Sequence, residues 1–110
     1  MKTITDEQMQ AVLAQVKGYT LLLLHAGPRR RDPGVDAIIR EHARRNLQLR
    51  EAGLLRIVCP VGGEVLAGIG VFDASLDEVD ALMKDDPAVK QGVLVYELHR
   101  CRSFPGDSLT

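Results

Sequence analysis

Turning 100° per residue from Ile38 places Leu49 at about 20°, His42 at about 40°, Val35 at about 60° and Ile39 at about 100°. His42 therefore stands in the middle of an apolar helix face, and Asn46 shares that face one turn further on. Arg40, Arg44 and Glu51 point the opposite way, with Arg45 at the edge. A histidine and an asparagine that face a core must find hydrogen-bond partners, because an unpaired buried polar group costs about 1–3 kcal/mol. One reading is a structural histidine bonded to a backbone carbonyl. The other is an acid–base group held at a site, since imidazole changes charge near neutral pH.

The other chemically capable residues are more scattered. His25 ends an apolar run, where it lines a pocket shared with residues near Asp86 or simply closes a solvated strand end. His99 reads as a surface or dimer residue. Of the three histidines and two cysteines, Cys59 and Cys101, only His99 and Cys101 lie within five positions of each other, and one such pair predicts no metal site. Arg29-Arg30-Arg31 would attract an anion, although three charges in a turn are usually just solvated. Gly68-Ile69-Gly70 lies inside a strand rather than opening a helix, which excludes a phosphate-binding fingerprint. No serine has glycines at nucleophile-elbow spacing, and no cofactor motif is visible.

The elements that must position these residues follow from periodicity. Thr5 with Gln8 forms a capping box, and Met9, Val12, Leu13 and Val16 fall at helical spacing, which predicts an amphipathic helix over 5–17. Residues 19–26 predict a strand that is apolar on both faces, followed by a Gly/Pro turn region to Gly34. The longest helix runs from 35 to 52, with Gly53 at the left-handed cap position. A second strand covers 54–59, and Gly62-Gly63 predicts a tight hairpin turn into a third strand over 65–72. Ser75 with Glu78 opens another helix, to about 84. Asp85-Asp86-Pro87 breaks it, and the last strand begins at Val93. After the first helix the order is βαββαβ, the split βαβ pattern of an α+β, ferredoxin-like fold with its core over 18–104. Right-handed crossovers place the third strand between the first two and the fourth outside the first. Two helices cover only one face of that sheet, so the leucines on the other face predict a homodimer closed sheet against sheet.

The chain carries 14 basic and 15 acidic residues, a net charge of −1, with 45% hydrophobic and 26% charged residues. That composition fits one globular domain over 1–110 and argues against nucleic acid, which demands a basic surface. The longest apolar run, Leu21–Leu24, is far short of the roughly 20 residues of a membrane span. With no signal-peptide pattern and two cysteines that read as free thiols, the expected setting is cytoplasmic.

Several stretches together resemble the YCII-related family: Tyr19-Thr20-Leu21 into Ala26-Gly27-Pro28, Glu41-His42-Ala43-Arg44-Arg45-Asn46, Ala52-Gly53-Leu54-Leu55 and Val71-Phe72-Asp73-Ala74. The most specific is Asp85-Asp86-Pro87-Ala88-Val89-Lys90-Gln91-Gly92, followed by Tyr96-Glu97-Leu98-His99 and Ser103-Phe104-Pro105-Gly106-Asp107. The resemblance covers residues 19 to 107 and implies a dimeric α+β barrel. It also implies a catalytic dyad of His42 and Asp86, in which the carboxylate orients the imidazole for general acid–base work. One branch of the family eliminates chloride from a chlorinated hydroxyhydroquinone. The chain departs from plainer members in its extra helix at 5–17, in Arg100 and in His25. Asp86 is expected at the end of the sheet where the long helix starts, about 10 Å along the helix axis from His42. The dyad therefore requires residues 85–92 to dip toward the helix, and His25 is a competing partner for Asp86.

The expectation is a lyase- or isomerase-type proton-transfer enzyme with His42 and Asp86 as catalytic residues. His25, Arg45 and Asn46 would contact the substrate, a small organic, anionic or aromatic molecule, without cofactor or metal. The alternative is a non-catalytic ligand-binding or protein-interaction module with the same barrel.

Overall fold

The structure, a computed structural model, describes residues 1–63 and 65–110. Its elements in chain order are α1 (Asp6–Leu13), β1 (Lys17–Ala26), α2 (Val35–Glu51), β2 (Leu55–Pro60), β3 (Gly68–Phe72), α3 (Leu76–Lys84), α4 (Pro87–Lys90) and β4 (Leu94–Ser103). The strands form a sheet of order β2-β3-β1-β4. β1 runs antiparallel to both β3 and β4, and β2 runs antiparallel to β3, so β1 and β2 are parallel as the crossover rule requires. The ferredoxin-like α+β arrangement expected from the element order is the one observed.

Burial alternates along the central strands. Thr20, Leu22 and Leu24 of β1 and Gly68, Gly70 and Phe72 of β3 are buried, while Leu21, Leu23, Ile69 and Val71 between them are half-buried on the opposite face. The buried set joins Val35 and Leu49 of α2, Val79 and Met83 of α3, and Val93 and Leu94 in one core between helices and sheet. α2 stops at Glu51, and Gly53 follows with φ 78°, the left-handed turn that lets the chain fold back into β2.

Three boundaries differ from the sequence expectation, each for a local reason. α1 has its capping box, with Thr5 Oγ1 accepting from Gln8 N at 3.1 Å and Gln8 Oε1 accepting from Thr5 N at 2.9 Å. It ends at Leu13 rather than residue 17, because Lys17 and Gly18 pair with Ser103 and Arg102 of β4. No α1 residue is buried, so Met9, Val12 and Leu13 face outward instead of packing on the sheet. The expected two-residue hairpin turn at Gly62-Gly63 is not formed. The β2–β3 ladder runs to Pro60↔Gly68 and the third strand begins at Gly68, with Val61 N donating to Ala67 O at 2.9 Å and so closing a connection longer than two residues. Finally, residues after Pro87 form the short helix α4 where the proline suggested only a break.

Candidate active site

α4 solves the placement of Asp86. An aspartate followed by proline is an N-cap followed by the first helical position, where proline's fixed φ and missing N–H are both harmless. Asp86 takes the extended backbone of a cap (φ −67°, ψ 131°) and its Oδ1 accepts from the amides of Ala88 at 2.9 Å and Val89 at 3.4 Å. The cap turns the carboxylate inward, where it is fully buried. α4 packs on α2, and Asp86 Oδ2 accepts a hydrogen bond from His42 Nδ1 at 2.8 Å. The 85–92 segment thus bridges the distance along the helix that separated the two residues in the sequence reading. Burial opposes ionisation of Asp86, but the His42 hydrogen bond and charge and the two α4 amides outweigh it, so its pKa lies below the ordinary 3.8.

With Nδ1–H committed to Asp86, Nε2 of His42 carries the lone pair. Asn46, one helical turn on, donates its amide Nδ2–H to Nε2 at 3.2 Å. Its Oδ1 is buried and has no hydrogen-bond partner among the described residues, and neither has Arg45 Nη1, which is ion-paired with Asp86 Oδ2 at 4.0 Å. His42 and Asn46 form part of the wall of a cavity of about 1090 Å³ between α2 and the sheet. Leu22, Leu24, Ile39 and Leu55 supply much of its apolar wall, and Gly68 and Gly70 leave its floor without side chains. Arg30 and Arg31 also line it. Arg45 borders the dyad without lining the cavity.

His25 lies elsewhere. Its ring is on the sheet face away from the helices, with Nδ1 on Val65 O at 2.8 Å and Nε2 on Glu97 Oε1 at 2.6 Å. It makes no contact with Asp86, so the expected competition for that carboxylate does not arise, and it does not line the cavity. His99 bonds the other oxygen of Glu97 at 2.9 Å. Three site features escaped the sequence reading. The cap role of Asp86 was signalled by the Asp-Pro pair itself. The bare cavity floor was signalled by two glycines inside a strand, a pattern that often marks close approach of a ligand or backbone. Nothing local marked Glu97 as the partner of His25. Among the described residues no group of three or more His, Cys, Asp or Glu side chains is arranged to hold a metal ion.

The fold and the cavity together define an α+β protein of ferredoxin-like topology with a polar pair set into a largely apolar pocket. Among solved structures, the chain is similar to the 5-chloro-2-hydroxyhydroquinone dehydrochlorinase TftG of Burkholderia phenoliruptrix, in complex with 2,5-dihydroxybenzoquinone. The match has a TM-score of 0.52 at 18% identity and covers 74% of this chain and 92% of that one. At that identity the likeness is one of fold. A second match, to the C-terminal domain of the MgtC protein of Mycobacterium tuberculosis, has a TM-score of 0.38 at 13% identity, covering 86% of this chain and 95% of that one. No protein-family model matches the chain, and no curated protein matches its sequence. No helix among the described residues is long and apolar enough to cross a membrane.

Proposed function

We propose that the protein is a small-molecule enzyme of lyase or isomerase type that moves protons with His42 as general acid–base and Asp86 as its orienter. The observation that carries this reading is the buried 2.8 Å bond from His42 Nδ1–H to Asp86, on a histidine that also lines the cavity. Asp86 fixes the tautomer with the lone pair on Nε2 and stabilises the imidazolium that forms when Nε2 takes a proton. For an elimination, the pair left behind by that proton expels a leaving group. For an isomerisation, Nε2 returns the proton at another carbon. Asn46 Nδ2–H gives way to the substrate at Nε2, and Arg45 stands behind Asp86. The dehydrochlorinase activity of the structural neighbour makes chlorinated and hydroxylated quinols the natural starting panel.

The test follows proton exchange and chloride release from that panel in D2O. Native protein is expected to turn over at least one compound, and His42→Ala to lose turnover while remaining folded. A folded His42→Ala protein with undiminished activity would end the proposal. A second reading, a non-catalytic binding module, is favoured by one fact: Asn46 already satisfies Nε2. It expects His42→Leu to be neutral or stabilising, because replacing a buried polar group by an apolar one of similar size can be. We propose further that two copies associate through the face bearing Leu21, Leu23, Ile69 and Val71, and that the setting is cytoplasmic, where Cys59 and Cys101 stay as free thiols.

A further inference from the structure

Among the described residues, the charged side chains that line the cavity are all basic. Its polar lining consists of Arg30, Arg31, His42 and Asn46, and no aspartate or glutamate lines it among the described residues, although the chain as a whole carries a net charge of −1. Arg30 is the distinctive member. Arg29 beside it pairs with Asp32 at 2.8 Å, and Arg40, Arg50, Arg56, Arg100 and Arg102 are exposed. Arg30 is half-buried against the cavity, yet its guanidinium has no hydrogen bond or ion pair among the described residues. Desolvating an arginine head without a counter-charge is costly, and an anion in the cavity would supply the missing partner.

The segment that carries Arg30 is also fixed in advance. Gly27 N donates to Val93 O and Arg29 N to Gly92 O, both at 2.9 Å, and Arg30 N closes a turn onto Gly27 O at 3.1 Å. A Cβ at position 27 would fall 2.4 Å from Gly92 O, so only glycine allows the two turns to meet. Deeper in the site, Asn46 Oδ1 is a buried acceptor that still lacks a donor. We propose that the cavity binds a small organic acid, an apolar body whose anionic group pairs with Arg30 and whose hydroxyl donates to Asn46. The proposal deepens the reading above, since it uses the same cavity, but it requires binding and not turnover.

The experiment is a calorimetric titration of the full chain with 4-hydroxybenzoate and, in parallel, with its neutral analogue 4-hydroxybenzyl alcohol. The acid is expected to bind saturably and at least tenfold more tightly than the alcohol. Arg30→Gln should weaken the acid about tenfold and leave the alcohol unchanged, and Arg30→Lys should recover part of the loss because the charge is retained. Asn46→Leu should weaken both ligands. Equal binding of acid and alcohol, equal binding by Arg30→Gln, or no saturable binding of the acid below 10 mM each overturns the proposal. The titration is repeated in His42→Ala. Arg30-dependent binding that persists there, with native protein turning over no compound of the activity panel, leaves the anion site standing while the enzyme reading falls.

Discussion

Each oxygen of the Asp86 carboxylate has its own task, one capping α4 and the other orienting His42. Asparagine can still cap a helix, so Asp86→Asn keeps the backbone while removing the charge and presenting an N–H to His42 Nδ1. That variant is expected to stay folded and to lose turnover, which circular dichroism and the same activity panel check. The lowered pKa of Asp86 also sets a pH dependence. A group whose folded pKa is depressed stabilises the protein above its unfolded value, near 3.8, and loses that contribution as pH falls through the folded pKa. The difference in urea midpoint between native protein and Asp86→Asn should therefore narrow below pH 4.

His25 gives the opposite sign. Val65 O and Glu97 are both acceptors, so both ring nitrogens must donate and the ring is an imidazolium. The Val65 carbonyl first, and then the Glu97 carboxylate, raise its pKa above 6.5. Its contribution is present in full below that value and lost as pH rises through the raised one. Native protein and His25→Asn should differ more in stability at pH 5.5 than at pH 9, and equal differences would refute the cationic bridge. At this scale the sequence was informative wherever periodicity applies. The 100° turn placed His42 and Asn46 on the buried face of α2, while Glu97 stayed hidden because strand pairing across 72 positions leaves no local trace.

Among the elements, β3 combines strand and cavity floor through its glycines. A Cβ at Gly70 would meet Leu55 Cδ1 at 3.0 Å and Leu22 Cδ2 at 3.5 Å, whereas at Gly68 the nearest atoms are Cys59 O at 3.4 Å and Leu24 Cδ1 at 3.6 Å. Gly70→Ala should cost about 1–3 kcal/mol through overpacking, and Gly68→Ala less than about 1 kcal/mol, as read by urea unfolding. The strand order was legible because apolar runs, turn residues and crossover handedness agree. α1 was only half legible: its start is encoded by Thr5 and Gln8, but its end is decided by the competition of β4 for Lys17 and Gly18. Helical spacing of Met9, Val12 and Leu13 says that one side of a helix is apolar, not that the rest of the chain lies against it.

The molecule measures 56 × 28 × 22 Å, an elongated shape, and one side of its sheet carries no helix. If two copies meet there as proposed, Leu23→Lys should convert a species of twice the chain mass into one of single mass in sedimentation at micromolar concentration. A native protein of single mass would remove the dimer. The sheet's pairing also shapes how the chain comes to be folded. β4 pairs with β1 along its entire length, from Lys17↔Ser103 to Ala26↔Leu94, with all of residues 27–93 between them. Synthesis delivers the leucine run of β1 among the first segments and its flanking strand among the last. Closing so long a loop is slow, and the exposed run is available to wrong partners meanwhile. The Asp86 cap that completes the dyad is likewise made late, so a truncated chain would display its stickiest strand before it possessed its chemistry.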